Sequence, residues 1–101
     1  MARFLITYYA GDMPQDPESI AQTRRALIQW AAKTGTALAD IGAPIRSATM
    51  ISNDGIHHGL PPGPFMGWSV IEAEDTNTAI HLMEDHPFIC RGGILQLSEP
   101  V

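Results

Sequence analysis

The feature that most constrains the fold is an amphipathic segment at residues 17–34, which follows a run of strand-forming residues at 3–9. Asp16 is a residue type that accepts hydrogen bonds from the first free N–H groups of a helix, and Pro17 suits the first helical position. Apolar residues then recur at helical spacing, and Gly35 provides a stop. The pattern predicts a strand followed by a long helix with one apolar face. The apolar character of residues 3–9 predicts that this strand is buried on both faces or nearly so.

The rest of the chain repeats this order of segments. Residues 36–41 are short and largely apolar and are interrupted by Gly42-Ala43-Pro44, and residues 45–51 predict a strand or the continuation of that segment after a kink. Residues 68–73 and 94–98 are the two later predicted strands. Thr76 predicts the start of a second helix, with Ala79, Ile80 and Met83 facing inward, and Pro87 predicts its end. Residues 55–67 are rich in glycine and proline, which predicts a loop without regular structure.

The order strand, helix, strand, strand, helix, strand is that of a ferredoxin-like βαββαβ sandwich. We therefore expect one α+β domain over residues 1–101, with a four-stranded antiparallel sheet and two helices on one face. The other sheet face would stay apolar and bare, and a second copy of the chain is its usual cover. Charged residues make up 17% of the chain, below the norm of about 25%, which agrees with an additional apolar interface. We expect a homodimer.

Charge and cysteine content argue against several classes of protein. The formal net charge is -5, and the tightest basic pair is Arg24–Arg25. Nucleic-acid binding, which needs several converging cations, is therefore not expected. Cys90 is the single cysteine, so no intrachain disulfide points to an oxidising compartment. The apolar run at the N-terminus is too short for a membrane span or a signal peptide. We expect a cytoplasmic protein that needs no cofactor.

Five segments resemble, in their order and spacing, the YCII-related family and its DGPF-type relatives. They are residues 35–44 (GTALADIGAP), 63–73 (GPFMGWSVIEA), 75–76 (DT), 86–88 (HPF) and 92–94 (GGI). The resemblance covers nearly the whole chain. It implies a ferredoxin-like domain that pairs into a dimeric α/β barrel. A few members of the family resemble enzymes that process lactones or haloaromatic compounds, and a histidine–aspartate pair has been proposed as their active site.

That pair carries over only in part. In some members the histidine lies on the first helix, where this chain reads Gln22-Thr23-Arg24, and the residue before Pro-aromatic is often Asp, where this chain has His86. Judged by residue type, His86 is a candidate general acid or base because histidine titrates near neutral pH. Asp40, in an apolar stretch, is the candidate partner, expected to be partly buried. A histidine that interacts with a helix C-terminus and a solvated aspartate are the alternatives.

Five further residues are candidates for binding a substrate. Arg46 has a planar fork that suits a carboxylate, although an exposed strand arginine is the simpler interpretation. His57 or His58, together with Phe65, lie on the glycine-rich loop and are expected at the lid of a pocket. Trp68 is a candidate for an aromatic wall. Adjacent histidines in an extended segment point to opposite sides, so we expect no metal site.

Three function classes remain open. The first is a proton-transfer enzyme (elimination, isomerisation or dehalogenation) that acts on a small cyclic or aromatic acid with His86 and Asp40. The second is a non-catalytic binder of a small molecule, and the third is a module that only dimerises. The first requires both side chains to converge on a cavity, the second requires a cavity with polar anchors, and the third predicts no enclosed cavity.

Overall fold

The computed structural model describes residues 1–10, 16–59 and 65–101. In chain order its elements are β1 (Ala2–Tyr9), α1 (Pro17–Thr34), β2 (Leu38–Pro44), β3 (Thr49–Ser52), β4 (Gly55–His58), β5 (Phe65–Ala73), α2 (Thr76–Met83), α3 (Pro87–Cys90) and β6 (Ile94–Ser98). Four strands form an antiparallel sheet in the order β2-β5-β1-β6. This arrangement is that of the ferredoxin-like α+β fold predicted from the segment order.

A β-hairpin is the main departure from the predicted elements. β3 and β4 pair antiparallel, with Thr49 opposite His58 and Ile51 opposite Ile56. The predicted strand over residues 45–51 is a strand only from Thr49 onward, and the predicted irregular loop over 55–67 was wrong at 55–58, which form β4, and at 65–67, which belong to β5. Residues 60–64 of that predicted loop lie outside the described residues. The hairpin forms because Asn53-Asp54-Gly55 supplies the turn chemistry that lets the chain reverse within two residues.

Helix α1 begins and ends where its local signals predict. The Asp16 carboxylate accepts a hydrogen bond from the Ser19 N–H at 2.9 Å, which lowers the pKa of Asp16. Gly35 ends the helix with a φ of 62°, a backbone conformation that favours glycine. The indole of Trp30 is buried and anchors the helix to the core.

The second half of the chain corrects three details of the sequence-based prediction. Asp75, not Thr76, caps α2, because its carboxylate accepts from the Thr78 N–H at 2.8 Å. The helix ends at Met83, and Pro87 starts the short helix α3 instead of ending α2. Ile80 is 45% exposed, whereas Ala79 and Met83 are buried as expected.

The central sheet is buried on one face. In β1, Phe4, Ile6 and Tyr8 are buried, whereas Leu5 is exposed. The predicted burial of this strand on both faces was therefore wrong. The buried face packs against all three helices in one cluster: Phe4, Ile6, Tyr8, Trp30, Ile71, Ala73, Ala79, Met83 and Phe88. Among the described residues, no helix is both long enough and apolar enough to cross a membrane.

Candidate functional site

A cavity of about 590 Å³ opens on the helix-covered face of the sheet. It lies between α1, the segment that contains α3, and the adjoining parts of β1, β2 and β5. Leu27, Ile41, Met66 and Phe88 give it a largely apolar wall. Volumes of 300–1,000 Å³ with apolar walls and a few placed polar groups are typical of small-molecule sites.

A β-bulge in β2 shapes one side of this cavity. Ile41 and Gly42 together stand opposite Ser69 of β5, where regular pairing would place one residue. The Asp40 carboxylate accepts a hydrogen bond from the Gly42 N–H at 2.9 Å and so stabilises the bulge. Gly42 has a φ of 71°, and a Cβ there would lie 1.7 Å from the Trp68 carbonyl oxygen. Only glycine fits this close approach of the two strands.

The bulge turns a backbone carbonyl toward a pair of buried hydroxyl groups. The Ser69 hydroxyl donates to the Ile41 carbonyl oxygen at 2.7 Å, and the Tyr8 hydroxyl lies 2.7 Å from the Ser69 oxygen. Because Ser69 uses its single proton on Ile41, Tyr8 donates to Ser69. Burial raises the pKa of Tyr8, against a smaller opposing effect of the Ser69 hydrogen bond, so the phenol keeps its proton at neutral pH.

His86 is the titratable group most changed by its surroundings. Its side chain is buried, and its Nδ1 accepts a hydrogen bond from the Phe88 N–H at 3.0 Å, which caps α3. Burial, together with the nearby positive charge of Arg91 and against a weaker effect of Asp85, lowers the pKa of His86 to about 4. Because Nδ1 accepts a hydrogen bond, the neutral ring carries its proton on Nε2.

Aromatic rings hold the His86 imidazole in place. The Trp30 and Tyr8 ring centroids lie 4.4 Å and 5.1 Å from that of His86. The Nε2 atom of His86 donates a hydrogen bond to no described residue and retains some contact with solvent. Since His86 lines the cavity, its Nε2–H is available to a molecule bound there. At neutral pH the side chain is therefore a hydrogen-bond donor.

The structure does not bring the predicted histidine and aspartate together in this cavity. His86 lines it, whereas Asp40 is exposed, does not line it and uses its carboxylate on the Gly42 N–H. The predicted partial burial of Asp40 was wrong, because the bulge places this residue at an exposed position of an edge strand. The role of His86 as a general acid or base stays a prediction, and its pKa of about 4 means that the ring is neutral at neutral pH.

The predicted binding residues are similarly divided. Trp68 lines the cavity, but Arg46, His57, His58 and Phe65 do not, and all four are exposed. The histidines belong to the β3–β4 hairpin, where the His58 Nδ1 lies 3.4 Å from the Thr49 hydroxyl. Their predicted place at the lid of a pocket depended on an irregular loop, which the hairpin replaces.

Sequence reasoning missed five polar residues of the lining, namely Tyr8, Ser69, Thr23, Arg24 and Arg91. A signal existed for the first two. Each of these two residues occupies a buried strand position, and the residues two positions before and after it are apolar or glycine. Its hydroxyl therefore requires a hydrogen-bond partner inside the protein. Arg91 carried no comparable signal, because its position depends on how α3 packs against α1.

Two further observations complete the description of titratable and thiol groups. The thiol of Cys90 is exposed. Within residues 1–10, 16–59 and 65–101, no group of three or more His, Cys, Asp or Glu side chains is placed to hold a metal ion.

Comparison with known proteins gives a similarity of fold. No family model matches the chain, and no curated protein matches it. Among solved structures, the chain is similar to 5-chloro-2-hydroxyhydroquinone dehydrochlorinase (TftG) from Burkholderia phenoliruptrix AC1100, described as a complex with 2,5-dihydroxybenzoquinone. The TM-score is 0.53 at 19% identity, over 93% of this chain and 90% of that one. At this identity the likeness shows a shared fold.

Proposed function

We propose that the cavity binds a small cyclic or aromatic compound, with His86 as its central hydrogen-bond donor. The observation that carries this proposal is a buried neutral imidazole whose Nδ1 is engaged by the Phe88 N–H and whose Nε2–H has no described acceptor. A hydrogen-bond donor on a mostly apolar cavity wall suits a ligand whose ring contacts the wall and whose oxygen accepts the hydrogen bond. The rings of Tyr8 and Phe88, 5.4 Å apart, offer aromatic contact beside that donor.

The hydroxyl pair supports the same class of ligand. Tyr8 donates its proton to Ser69, so the phenol oxygen can still accept a hydrogen bond from a ligand hydroxyl. His86 supplies a donor and Tyr8 an acceptor on one cavity, with ring centroids 5.1 Å apart. A ring that carries both a hydroxyl and a carbonyl or ionised oxygen would satisfy both groups.

Calorimetric titration with 2,5-dihydroxybenzoquinone tests this proposal. Ala43 lines the cavity and Ala39 does not, although both are exposed alanines of β2. We expect the wild-type chain to bind and Ala43→Phe to weaken binding at least about tenfold, a change of roughly 1.4 kcal/mol. The matched variant Ala39→Phe should bind like the wild type. Absence of binding, or equal weakening by both variants, would show that this cavity is not the site.

Elimination-type catalysis, including dehalogenation, is a second candidate. It is supported by the hydrogen-bonded chain from Tyr8 through Ser69 to the Ile41 carbonyl and by the fold shared with a protein named as a dehydrochlorinase. The described lining contains no carboxylate, and His86 is a donor at neutral pH. In this candidate one ring hydroxyl loses its proton to water while His86 stabilises the resulting oxygen charge, and the chlorine-bearing carbon takes a proton from water to give a keto tautomer. A second hydroxyl then loses its proton to water and forms a C=O bond as chloride leaves with the electrons of the C–Cl bond, so the net change is loss of HCl.

Chloride release from 5-chloro-2-hydroxyhydroquinone is the assay for this second candidate. We expect release above the rate without protein, and loss of at least about tenfold in His86→Asn, the effect of removing a donor to a developing oxyanion. His81→Asn is the matched control, because His81 is an exposed histidine on α2. If the wild-type chain binds the ring compound but releases no chloride, the binding proposal stands and the enzyme candidate is wrong.

We further infer that the chain is a YCII-related protein and that a second copy covers its open sheet face. The first inference is supported by the order of the five resembling segments and by the ferredoxin-like sheet. The second is supported by apolar side chains on the face without described helices, where Leu5 is 41% and Ile94 60% exposed. Joining two such faces would form a barrel and remove both from water.

A further inference from the structure

The cavity is positively charged in a chain that is acidic overall. The chain has 11 acidic and 6 basic residues, which gives a formal net charge of -5. The described lining nevertheless contains Arg24 and Arg91 and neither Asp nor Glu. Two guanidinium groups on a largely apolar surface without a carboxylate create a local potential that favours an anion.

Arg91 is fixed in position by neutral contacts. It follows α3, and its Nη1 donates to the Thr23 hydroxyl of α1 at 3.1 Å. Its guanidinium carbon lies 5.5 Å from the centre of the Phe88 ring, close enough for a cation–π interaction. Together these contacts hold the guanidinium between α1 and α3, so little side-chain entropy would be lost when it binds a ligand.

The charge of Arg91 is not neutralised within the described part of the chain. The described ion pairs are Arg3–Glu72, Lys33–Asp85 and His81–Glu84, and none includes Arg91. Its Nε is shielded from solvent and donates to no described atom, and its Nη2 has no described partner either. A partly buried cation without a counterion is unfavourable, and an anion from solution would relieve that cost.

We propose that Arg91, assisted by Arg24, binds the acid group of the ring compound and makes the cavity selective for acids over neutral analogues. The inference rests on the proposed function, because it concerns the same cavity and the same ring compound. The ring lies against Tyr8 and His86, and the acid group lies toward the junction of α1 and α3. Arg24 is exposed on α1, next to Thr23, and supplies a second, more mobile cation at the mouth. Arg46, a candidate for binding a carboxylate in the sequence analysis, is not part of the lining.

A matched pair of probes separates binding of the ring from binding of the acid. Calorimetry compares 2,5-dihydroxybenzoate with 2,5-dihydroxybenzamide, which keeps the ring and both hydroxyls but lacks the charge. We expect the wild-type chain to bind the acid at least about tenfold more tightly, as for a charge-assisted hydrogen bond. The preference should shrink as ionic strength rises. Equal binding of acid and amide by the wild-type chain would overturn the inference while leaving the ring site intact.

Variants then assign the preference to a residue. Arg91→Gln should weaken acid binding about tenfold and leave amide binding within about twofold, and Arg91→Lys should keep part of the preference because it keeps the charge but loses the fork. Arg46→Gln is the control and should change neither affinity. Equal weakening of both probes by Arg91→Gln would show a structural role and overturn the assignment. If Arg91→Gln does not fold, Arg91→Lys and Arg24→Gln decide, because a preference for the acid that neither variant reduces contradicts the proposal. Failure of both probes to bind would instead contradict the proposed function.

Discussion

Acidification should destabilise this protein through His86 before its carboxylates are protonated. The unfolded chain binds a proton at His86 with the ordinary pKa of 6.5, whereas the folded protein does so only near pH 4. Between these values protons bind preferentially to the unfolded state, so stability falls as the pH is lowered through this window. The full contribution of neutral His86 to the stability of the folded protein is present above pH 6.5. The linkage relation gives a loss of about 2 kcal/mol between about pH 7 and pH 5, and about 3 kcal/mol by about pH 4.

Urea unfolding followed by circular dichroism at a series of pH values measures this loss. His86→Asn provides the comparison, because an asparagine oxygen can still accept from the Phe88 N–H at the start of α3 but does not titrate. We expect the variant to be less stable at neutral pH, owing to lost packing against Trp30, but to lose most of the pH dependence between pH 7 and 5. His81→Asn, at an exposed histidine, should keep the wild-type slope. A wild-type slope that is unchanged in His86→Asn would refute the reasoning.

Three other predictions concern the bulge, the hydroxyl pair and the open face. Gly42→Ala should lower the free energy of unfolding, measured in urea, by about 3 kcal/mol or more, because the new Cβ would clash with the Trp68 carbonyl at a residue with a positive φ. Gly35→Ala, which has open space around it, should lower it by about 1 kcal/mol. Equal losses in the two variants would contradict the close approach of the strands at Gly42. Ser69→Ala should lower the free energy of unfolding by about 2 kcal/mol, because it leaves the Tyr8 hydroxyl and the Ile41 carbonyl without a hydrogen-bond partner. Tyr8→Phe should lower it by about 1 kcal/mol, because Ser69 keeps its hydrogen bond to Ile41. A larger loss in Tyr8→Phe than in Ser69→Ala would argue against donation from Tyr8 to Ser69. Light scattering at micromolar concentration should report at least a dimer. Ile94→Glu should dissociate it and Ile28→Glu should not, although the two isoleucines are about equally exposed, at 60% and 61%. A monomeric wild-type chain would count against the barrel.

Local signals in the sequence predicted the elements of the fold. Asp16, Pro17 and Gly35 locate α1 correctly, since capping and backbone conformation depend on atoms within four residues of each other. The strands predicted at 68–73 and 94–98 correspond to β5, which begins earlier at Phe65, and to β6. The prediction failed where two local signals competed. Asp75 and Thr76 are both residue types that cap a helix, and only the folded structure shows that the Asp75 carboxylate accepts the hydrogen bond from the Thr78 N–H.

The candidate site depended on contacts that no local pattern specifies. Tyr8 and Ser69 are 61 residues apart, and their hydroxyls meet because β1 and β5 pair in one register. A shift of one residue would turn each side chain to the other face. His86 drew attention by residue type, yet its role as a donor follows from the Phe88 N–H on its Nδ1 and from its burial.

The sequence by itself determined where α1 begins and ends and which strand positions can face a core, because those preferences arise from short-range sterics and hydrogen bonds. Only the tertiary structure decided which polar side chains share a cavity. It placed the Asp40 carboxylate on the Gly42 N–H, outside the lining of the cavity, and brought Arg91 to the same cavity as His86. The physical reason is that strand register and helix packing are set by the sum of many long-range contacts, each weak, so the direction of a single side chain is fixed only when all of them form together.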